Sequence, residues 1–223
     1  MKFRHEWKHE INFEDRLVLL ARLPAVMKRD SHSIGGEYMI RSLYFDTPGD
    51  KALREKIDGV NAREKFRIRL YNGDPSFIVL EKKSKLNGLC AKESCRLTAE
   101  EAQRIADKDA DWLISSGRPL CAELYSKMKS QGLRPKTIVD YTREAFVFPA
   151  GNVRVTIDRD VRTGVFRTGL LDPRTLTVPA GDSPVILEVK WDDFLPDIIR
   201  DAVTVPDRRV CAFSKYQQCR IYG

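Results

Sequence analysis

The chain has 223 residues and a formal net charge of +7, since its 39 Lys and Arg residues outnumber its 32 Asp and Glu residues. Hydrophobic residues make up 42% and charged residues 32% of the sequence, a composition that is typical of folded globular proteins and excludes an intrinsically disordered chain. The longest segment without a charged residue, 145–153, is far shorter than the ~20 residues of a membrane-spanning helix, so we predict no membrane span.

The hydropathy pattern predicts strands separated by short helices. Residues 3–10 alternate with the period of a strand, whereas residues 13–22 place apolar side chains on one helical face behind a cap at Asn12. Further strands are predicted at residues 38–46, 62–71, 76–83, 90–97, 136–148, 152–160 and 185–191, with a weaker candidate near 175–178. Further helices are predicted at residues 51–56, 99–108, 110–131 with an interruption at Gly117 and Pro119, and 196–203. The pattern of residues 213–222 is ambiguous.

The turn sequences indicate how these strands are connected. Asn72-Gly73 and Asn87-Gly88 are typical of tight β-hairpins. With about eight strands and inserted helices, the predicted fold class is α+β with an antiparallel sheet, and closure into a barrel would remove the unpaired edges of that sheet. No linker or repeat divides the chain, so we expect one domain over residues 1–223.

The N-terminal sequence and the cysteines indicate the compartment. Charged residues such as Lys2 and Arg4 open the chain, and no apolar segment of a secretory signal follows them. The five cysteines are odd in number and form no C-x-x-C motif, which disfavours both a disulfide framework and a cysteine zinc site. We therefore expect a cytoplasmic protein with reduced thiols. Its basic charge predicts an anionic partner.

One face of several predicted strands carries most of the basic charge. In the strand at 62–71, Arg63, Lys65, Arg67 and Arg69 share a face, and the opposite face is apolar after Glu64. A single strand of this kind is compatible with the solvated face of a half-buried sheet. Basic residues recur on one face of six or seven strands, however, and neighbouring cations repel one another unless anions lie between them. The joint pattern predicts a barrel whose apolar face points outward and whose cationic face lines a tunnel for phosphate groups.

A minority of carboxylates lies on the same faces as these cations, at Glu6, Glu81, Asp158 and Glu188. Two roles are compatible with this placement, and the sequence leaves both open. The carboxylates are either counter-charges to neighbouring Arg and Lys side chains, or hard oxygen ligands that bind Mg²⁺ or Mn²⁺ together with substrate phosphates.

A set of short motifs along the chain resembles the VTC domain, the polyphosphate polymerase domain of the CYTH/triphosphate tunnel metalloenzyme superfamily. The opening strand Arg4-His-Glu-Trp-Lys8 is similar to the Glu-x-Glu-x-Lys motif of that superfamily, except that Arg4 takes the first place. The other similar segments follow in the family's order and cover almost the whole chain: residues 42–48, 65–71, 80–84, 141–146, 154–158, 187–190 and 213–216.

The resemblance implies an antiparallel tunnel barrel of about eight strands with inserted and flanking helices. It implies transfer of the terminal phosphate of ATP, or of another triphosphate, to a growing polyphosphate chain, with Mn²⁺ or Mg²⁺ as cofactor. The implied catalytic residues are Lys8, Arg67, Arg69 and Lys83. The implied phosphate-binding residues are Lys92, Tyr141, Arg143, Arg154, Lys190, Ser214 and Lys215. The implied metal ligands are Glu188, as the main one, and Glu6 or Asp158.

The chain departs from the family pattern in its closing motif. In the family, that motif can carry a second lysine three residues before its last lysine. The last lysine here is Lys215, and the residue three positions before it is Ala212. The sequence contains no segment similar to the SPX-like regulatory segment or the transmembrane segment of eukaryotic members, so we expect a free-standing domain of the kind found in bacteria.

Other activities stay open at this point. The alternatives are an inorganic or nucleoside triphosphatase, an adenylate cyclase of the same fold, and a non-catalytic module that binds polyphosphate or inositol phosphate. If water is the acceptor, Glu6 and Glu81 are the candidate general bases. A nucleic-acid partner is disfavoured, because few aromatic side chains share the cationic faces and single strands stack on such side chains. The sequence does not determine the oligomeric state.

Overall fold

The computed structural model describes residues 3–33, 35–182 and 184–222. Ten β-strands and six α-helices lie in these ranges. The strands are β1 (Phe3–Ile11), β2 (Lys28–Arg29), β3 (Glu37–Asp46), β4 (Arg63–Tyr71), β5 (Asp74–Leu86), β6 (Leu89–Leu97), β7 (Arg134–Phe148), β8 (Val153–Thr163), β9 (Val178–Pro179) and β10 (Val185–Trp191). The helices are α1 (Phe13–Val26), α2 (Lys51–Ile57), α3 (Ala99–Ala106), α4 (Pro119–Gln131), α5 (Asp197–Val203) and α6 (Lys215–Ile221). Short 3₁₀ helices span Asp111–Ser116 and Ala150–Asn152.

Eight of the strands form a closed antiparallel barrel, as the sequence predicts. They are arranged in the order β7-β3-β4-β5-β6-β1-β10-β8, and β8 pairs with β7 to complete the circle. The two-residue strands β2 and β9 extend the sheet by pairing with β7 and β8. Closure gives each of the eight strands a partner on both sides, which removes the exposed edges of an open sheet.

The outer face of the barrel is apolar and is covered by helices. On β4, Phe66, Ile68 and Leu70 are buried in a cluster with side chains of α3 and α4. On the opposite side, Leu19 and Leu23 of α1 are buried in a second cluster with side chains of β7, β8, β10 and α5. Because side chains alternate along a strand, this outward packing directs the basic residues of β4 into the barrel, the predicted arrangement. No helix of the described residues has the length and apolar character needed to cross a membrane.

Local sequence signals account for several boundaries. Asn12 begins α1 with a reciprocal capping box to Asp15. Asn72 and Gly73 both have positive φ, at 50° and 70°, which two-residue hairpins with the twist of a β-ribbon require. The predicted interruption of residues 110–131 is also present, since a 3₁₀ helix ends at Gly117 with φ 70° and Pro119 begins α4.

Three segments differ from the predicted elements. The ambiguous segment 213–222 contains α6, which packs on the inner face of the barrel through Tyr216; its ring stacks on that of Tyr44 with the centroids 5.1 Å apart. The weak strand candidate near 175–178 is reduced to β9, and β2 was not predicted at all. Two-residue strands carry no periodicity, so the sequence offers no signal for them.

Candidate functional site

The register of the barrel places lysines side by side on its inner wall. Lys65 of β4 lies opposite Lys83 of β5, and Lys83 lies opposite Lys92 of β6. Like charges directly opposite each other on adjacent strands are destabilising. We refer to Lys65, Lys83 and Lys92 as the lysine row.

A cavity of about 320 Å³ opens beside the lysine row. It is covered by residues 210–214 and by one side of α2. Six basic but only two acidic side chains line it among the described residues: Lys8, Lys56, Arg63, Lys65, Lys83 and Lys85, with Glu6 and Glu64. The volume suits a small ligand, and the excess of basic side chains favours an anion.

Glu6 and Glu188 form a group with three lysines on β1, β10 and β5. Lys8 lies 3.2 Å from Glu6 and 3.3 Å from Glu188, while Lys190 lies 2.6 Å from Glu188 and 3.5 Å from Glu6. Lys83 donates to Glu6 at 2.8 Å. Burial and the neighbouring Glu188 would raise the pKa of Glu6, but Lys8, Lys83 and Lys190 lower it to about 2. The two carboxyl groups are therefore ionised at neutral pH, since the pKa of Glu188 is also well below its usual value.

Glu81 of β5 neutralises a second set of cations. Its carboxylate accepts from Arg67 at 2.7 Å and from Lys92 at 3.1 Å, and Arg69 lies 3.7 Å away. Burial alone would raise the pKa of Glu81, yet Arg67, Arg69 and Lys92 hold it well below its usual value. Arg69 also donates to the hydroxyl of Tyr141 at 3.0 Å, which joins β4 to β7 over the intervening strand β3.

Asp158 of β8 is paired on both of its oxygens. Arg143 donates to them at 2.6 and 2.7 Å, and Lys215 at the start of α6 donates at 2.6 Å. Asp158 is fully buried; burial would raise its pKa, but Arg143 and Lys215 lower it to about 2. These bonds give Asp158 the counter-charge role, and the metal-ligand role predicted for it stays untested.

The remaining predicted phosphate-binding residues lie at two different places. Ser214 caps α6 and lies 3.5 Å from the ammonium group of Lys65, in the wall of the cavity. Arg154, in contrast, donates to Tyr38 at 2.9 Å and to the carboxylate of Asp30. The structure thus brings Ser214 to the lysine row but pairs Arg154 with a separate acidic group.

Lys65 has no carboxylate partner among the residues that the structure describes, and we had not included it in the predicted site. Its ammonium group lies 5.4 Å from the centre of the Tyr44 ring. Burial lowers the pKa of Lys65 to about 7; Tyr44 acts in the opposite direction, and the cations Lys83, Lys8 and Arg67 add to the lowering. The alternation of the strand already gave the signal, because Lys65 shares a face with Arg67 and Arg69.

Lys56 of α2 is another lysine that the sequence analysis did not include among the site residues. It lies beside Ala212, the position at which the chain differs from the closing motif of the family. It donates to the main-chain carbonyl of Ala212 at 2.6 Å. A cation from another element thus lies in the cavity wall next to the position where the closing motif of the family can carry a lysine.

The comparisons with known proteins agree with this architecture. The sequence profile of the VTC domain matches residues 3–222. The chain belongs to the VTC domain family. No curated protein sequence matches it.

Two solved structures are similar to this VTC domain at low identity. A Bacillus halodurans protein provisionally named an adenylate cyclase is 15% identical with a TM-score of 0.50, over 85% of this chain and 80% of that one. A Pyrococcus horikoshii protein is 14% identical with a TM-score of 0.44, over 90% and 84% of the two chains. The first likeness confirms the predicted tunnel-type barrel.

The tunnel family implies a divalent cation, and part of this VTC domain fits one. Within the described ranges, no three His, Cys, Asp or Glu side chains come together. Mg²⁺ is commonly bound, however, through only one or two carboxylates plus substrate phosphates, and Glu6 and Glu188 provide two. Thr156 lies opposite Glu188 on β8, and its buried hydroxyl has no hydrogen-bond partner among the described residues. The hydroxyl of Thr156 adds a third oxygen donor beside the two carboxylates, and oxygen donors are the ligands that Mg²⁺ and Mn²⁺ prefer.

Proposed function

We propose that this VTC domain is a polyphosphate polymerase-like phosphotransferase, which moves the terminal phosphate of ATP to a polyphosphate chain inside the barrel. The observation that carries the proposal is the lysine row beside the cavity, in which Lys65 has no carboxylate partner among the residues that the structure describes. Cations that repel one another on an inner wall are stabilised by a polyanion. Phosphate chains are such polyanions, and their oxygens bind both Lys and Arg side chains.

In this proposal the basic side chains act by alignment and neutralisation. Phosphoryl transfer needs little covalent help from the protein, because most of the catalysis comes from positioning the phosphates and stabilising their charge. Lys65, Lys83 and Lys8 line the cavity and would bind the phosphates there. Arg67 and Arg69 lie further along the same strand, where Glu81 fixes their orientation.

Glu188 and Glu6 are the residues proposed to hold a Mn²⁺ or Mg²⁺ ion. When bound, such an ion supplies neutralisation of the charge on the phosphate oxygens. Lys8 and Lys190 contact the same two carboxylates, so they keep this pair ionised and oriented.

The state of the carboxylates favours a phosphate acceptor over water. A hydrolase benefits from a general base with a pKa near the working pH. Glu6 has its pKa lowered to about 2, and that of Glu81 is also strongly lowered, so both are weak bases. A polyphosphate acceptor is already an anion and needs no deprotonation. This contrast supports the polymerase over the triphosphatase.

Incubation with ATP and Mn²⁺ or Mg²⁺ tests the proposal directly. We expect polyphosphate on a gel, with ADP formed in proportion to the phosphate incorporated. Free phosphate without polymer would instead identify a triphosphatase. If neither forms while inorganic tripolyphosphate still raises the melting temperature, the domain is a binding module. The predicted cytoplasmic location is part of this proposal, and imaging of the tagged protein in its host checks it.

Glu188→Gln is expected to lower the metal-dependent rate by about tenfold or more, because a carboxylate is a better ligand for a hard cation than an amide. The affinity for ATP measured without metal should change much less. Rates across a Mn²⁺ titration and calorimetric binding of ATP measure the two effects. The control is Glu10→Gln, on an exposed residue of the same strand as Glu6. An unchanged metal dependence in the Glu188 variant would show that the ion binds elsewhere.

The affinity for tripolyphosphate is expected to fall as the pH rises above about 7. Lys65 binds an anion in its protonated form, and its pKa of about 7 means that the charge is lost above that pH. Lys65→Arg keeps its charge at every pH used, so its affinity should fall less. Calorimetry of both proteins from pH 6 to pH 9 checks this. Comparing the two affinities at each pH removes the effect of ligand protonation, which is the same for both proteins. Parallel pH profiles would contradict a titrating Lys65.

A further inference from the structure

Two thiols meet on the outside of the barrel, away from the cavity. The sulfur atoms of Cys95 on β6 and Cys121 on α4 lie 3.6 Å apart. Cys121 is fully buried and Cys95 is partly exposed. No other pair of cysteines is in contact among the residues described, and the spacing of the two in the sequence gives no sign that they meet.

The surroundings of Cys121 favour its thiolate. Cys121 is the third residue of α4, where the positive end of the helix stabilises a negative charge. The hydrogen bond with Cys95 is the main cause that lowers the pKa of Cys121 to about 7, and Arg118 acts in the same direction against burial. The same hydrogen bond raises the pKa of Cys95. When this pair loses one proton, the remaining proton lies between the two sulfurs and the negative charge is favoured on Cys121.

The two elements that carry these thiols are held together independently of them. Lys82 of β5 bonds to Glu93 on β6 at 2.8 Å and to Glu123 on α4 at 2.7 Å. Both cysteines also lie in the apolar cluster between the barrel and α4. This packing keeps the sulfurs close, so bond formation needs a shift of about 1.5 Å to reach the ~2.05 Å of a disulfide.

We propose that Cys95 and Cys121 are a reversible modification site that forms a disulfide between β6 and α4, with hydrogen peroxide as the oxidant. The Cys121 thiolate attacks one peroxide oxygen, the O–O bond breaks, and with one proton the products are a sulfenic acid and water. The Cys95 sulfur then attacks the sulfenic sulfur, the S–O bond breaks, and a second water leaves. Two thiols are oxidised by two electrons, and one peroxide is reduced to two waters.

The test is the mass of the intact protein after treatment with hydrogen peroxide. We expect the loss of two hydrogens, a single linked peptide pair that contains Cys95 and Cys121, and reversal by dithiothreitol. The oxidised protein should also melt at a higher temperature than the reduced one, because the link constrains the unfolded chain.

Two variants keep the test decisive. Cys95→Ser, at a partly exposed position, should abolish the two-hydrogen loss and leave Cys121 to gain oxygen atoms. Cys211→Ser is the matched control and should retain the two-hydrogen loss. The proposal is overturned if the wild-type protein loses no hydrogens, if only oxygen atoms are added to it, or if the linked peptides contain other cysteines.

Discussion

Asp158→Asn is expected to lower the free energy of unfolding at pH 7 by about 3–5 kcal/mol, the usual cost of removing one partner from a buried ion pair. The substitution leaves Arg143 and Lys215 with an uncharged amide between them, in a place that excludes water. Urea or thermal denaturation measures the loss. The control is Asp201→Asn, an exposed aspartate on α5, which should change the free energy by no more than about 0.5 kcal/mol.

The pH dependence separates this ion pair from a simple packing effect. The pKa of Asp158 is about 2 in the folded protein, compared with 3.8 as the ordinary value. Because the pKa is lowered by folding, the ionised carboxylate stabilises the folded chain at pH values above 3.8, and this stabilisation is lost as the pH falls through about 2. The difference between the wild-type protein and Asp158→Asn should therefore narrow from pH 4 to pH 2. A constant difference over that range would contradict the ion-pair interpretation.

Lys65→Met is expected to weaken the binding of tripolyphosphate by about 10- to 100-fold, which corresponds to the loss of a hydrogen bond to a charged group worth about 1.5–3 kcal/mol. The same change should leave the melting temperature of the ligand-free protein unchanged or raise it, since Lys65 faces Lys83 and has no carboxylate partner in the described part of the chain. Calorimetry and thermal denaturation measure the two effects. Weaker binding together with an unchanged or higher melting temperature distinguishes a lysine that binds the ligand from one that stabilises the fold.

The pH again offers a sharper comparison for Lys65. Its folded-state pKa of about 7 lies below the ordinary 10.5, so the charged lysine destabilises the folded chain below pH 7, and the penalty disappears as the pH approaches 10.5. Any stability gained by Lys65→Met should be largest below pH 7. Lys28→Met, on an exposed strand residue, is the control for a general loss of charge. Reduced stability with unchanged affinity would assign Lys65 to the fold instead.

The alternation of charge, repeated over six or seven strands, predicts the barrel and the side of each strand that faces inward. Phe66 and Ile68 point out and Arg67 and Arg69 point in, because the period of two leaves one choice once an apolar face must be buried. The contacts between strands could not be predicted in the same way. The lysine row depends on the register of three strands, which is set by turns and by a shift between Arg69 and Tyr71.

The open question about the carboxylates also needed the three-dimensional arrangement. Asp158 is neutralised by Arg143 on the adjacent strand β7 and by Lys215 of α6, which lies 57 residues further along the chain. The helix that brings Lys215 there has only seven residues, too few to give a clear hydropathy period. The assignment of residues 1–223 to one domain stays a prediction, as do the roles of the site residues.

The pairing of β1 with β10 affects how the protein is made. Glu6 lies opposite Lys190 and Lys8 opposite Glu188, so the charges of β1 are balanced by β10, which is synthesised after the other nine strands described above. Until β10 has emerged from the ribosome, the other strands form a sheet with an apolar face that cannot close into the barrel. Contacts between such distant segments form slowly, because closing a long loop costs chain entropy before the new contacts can offset it. The nascent domain therefore exposes unpaired strand edges until β10 has emerged, and chains with such edges are prone to aggregate.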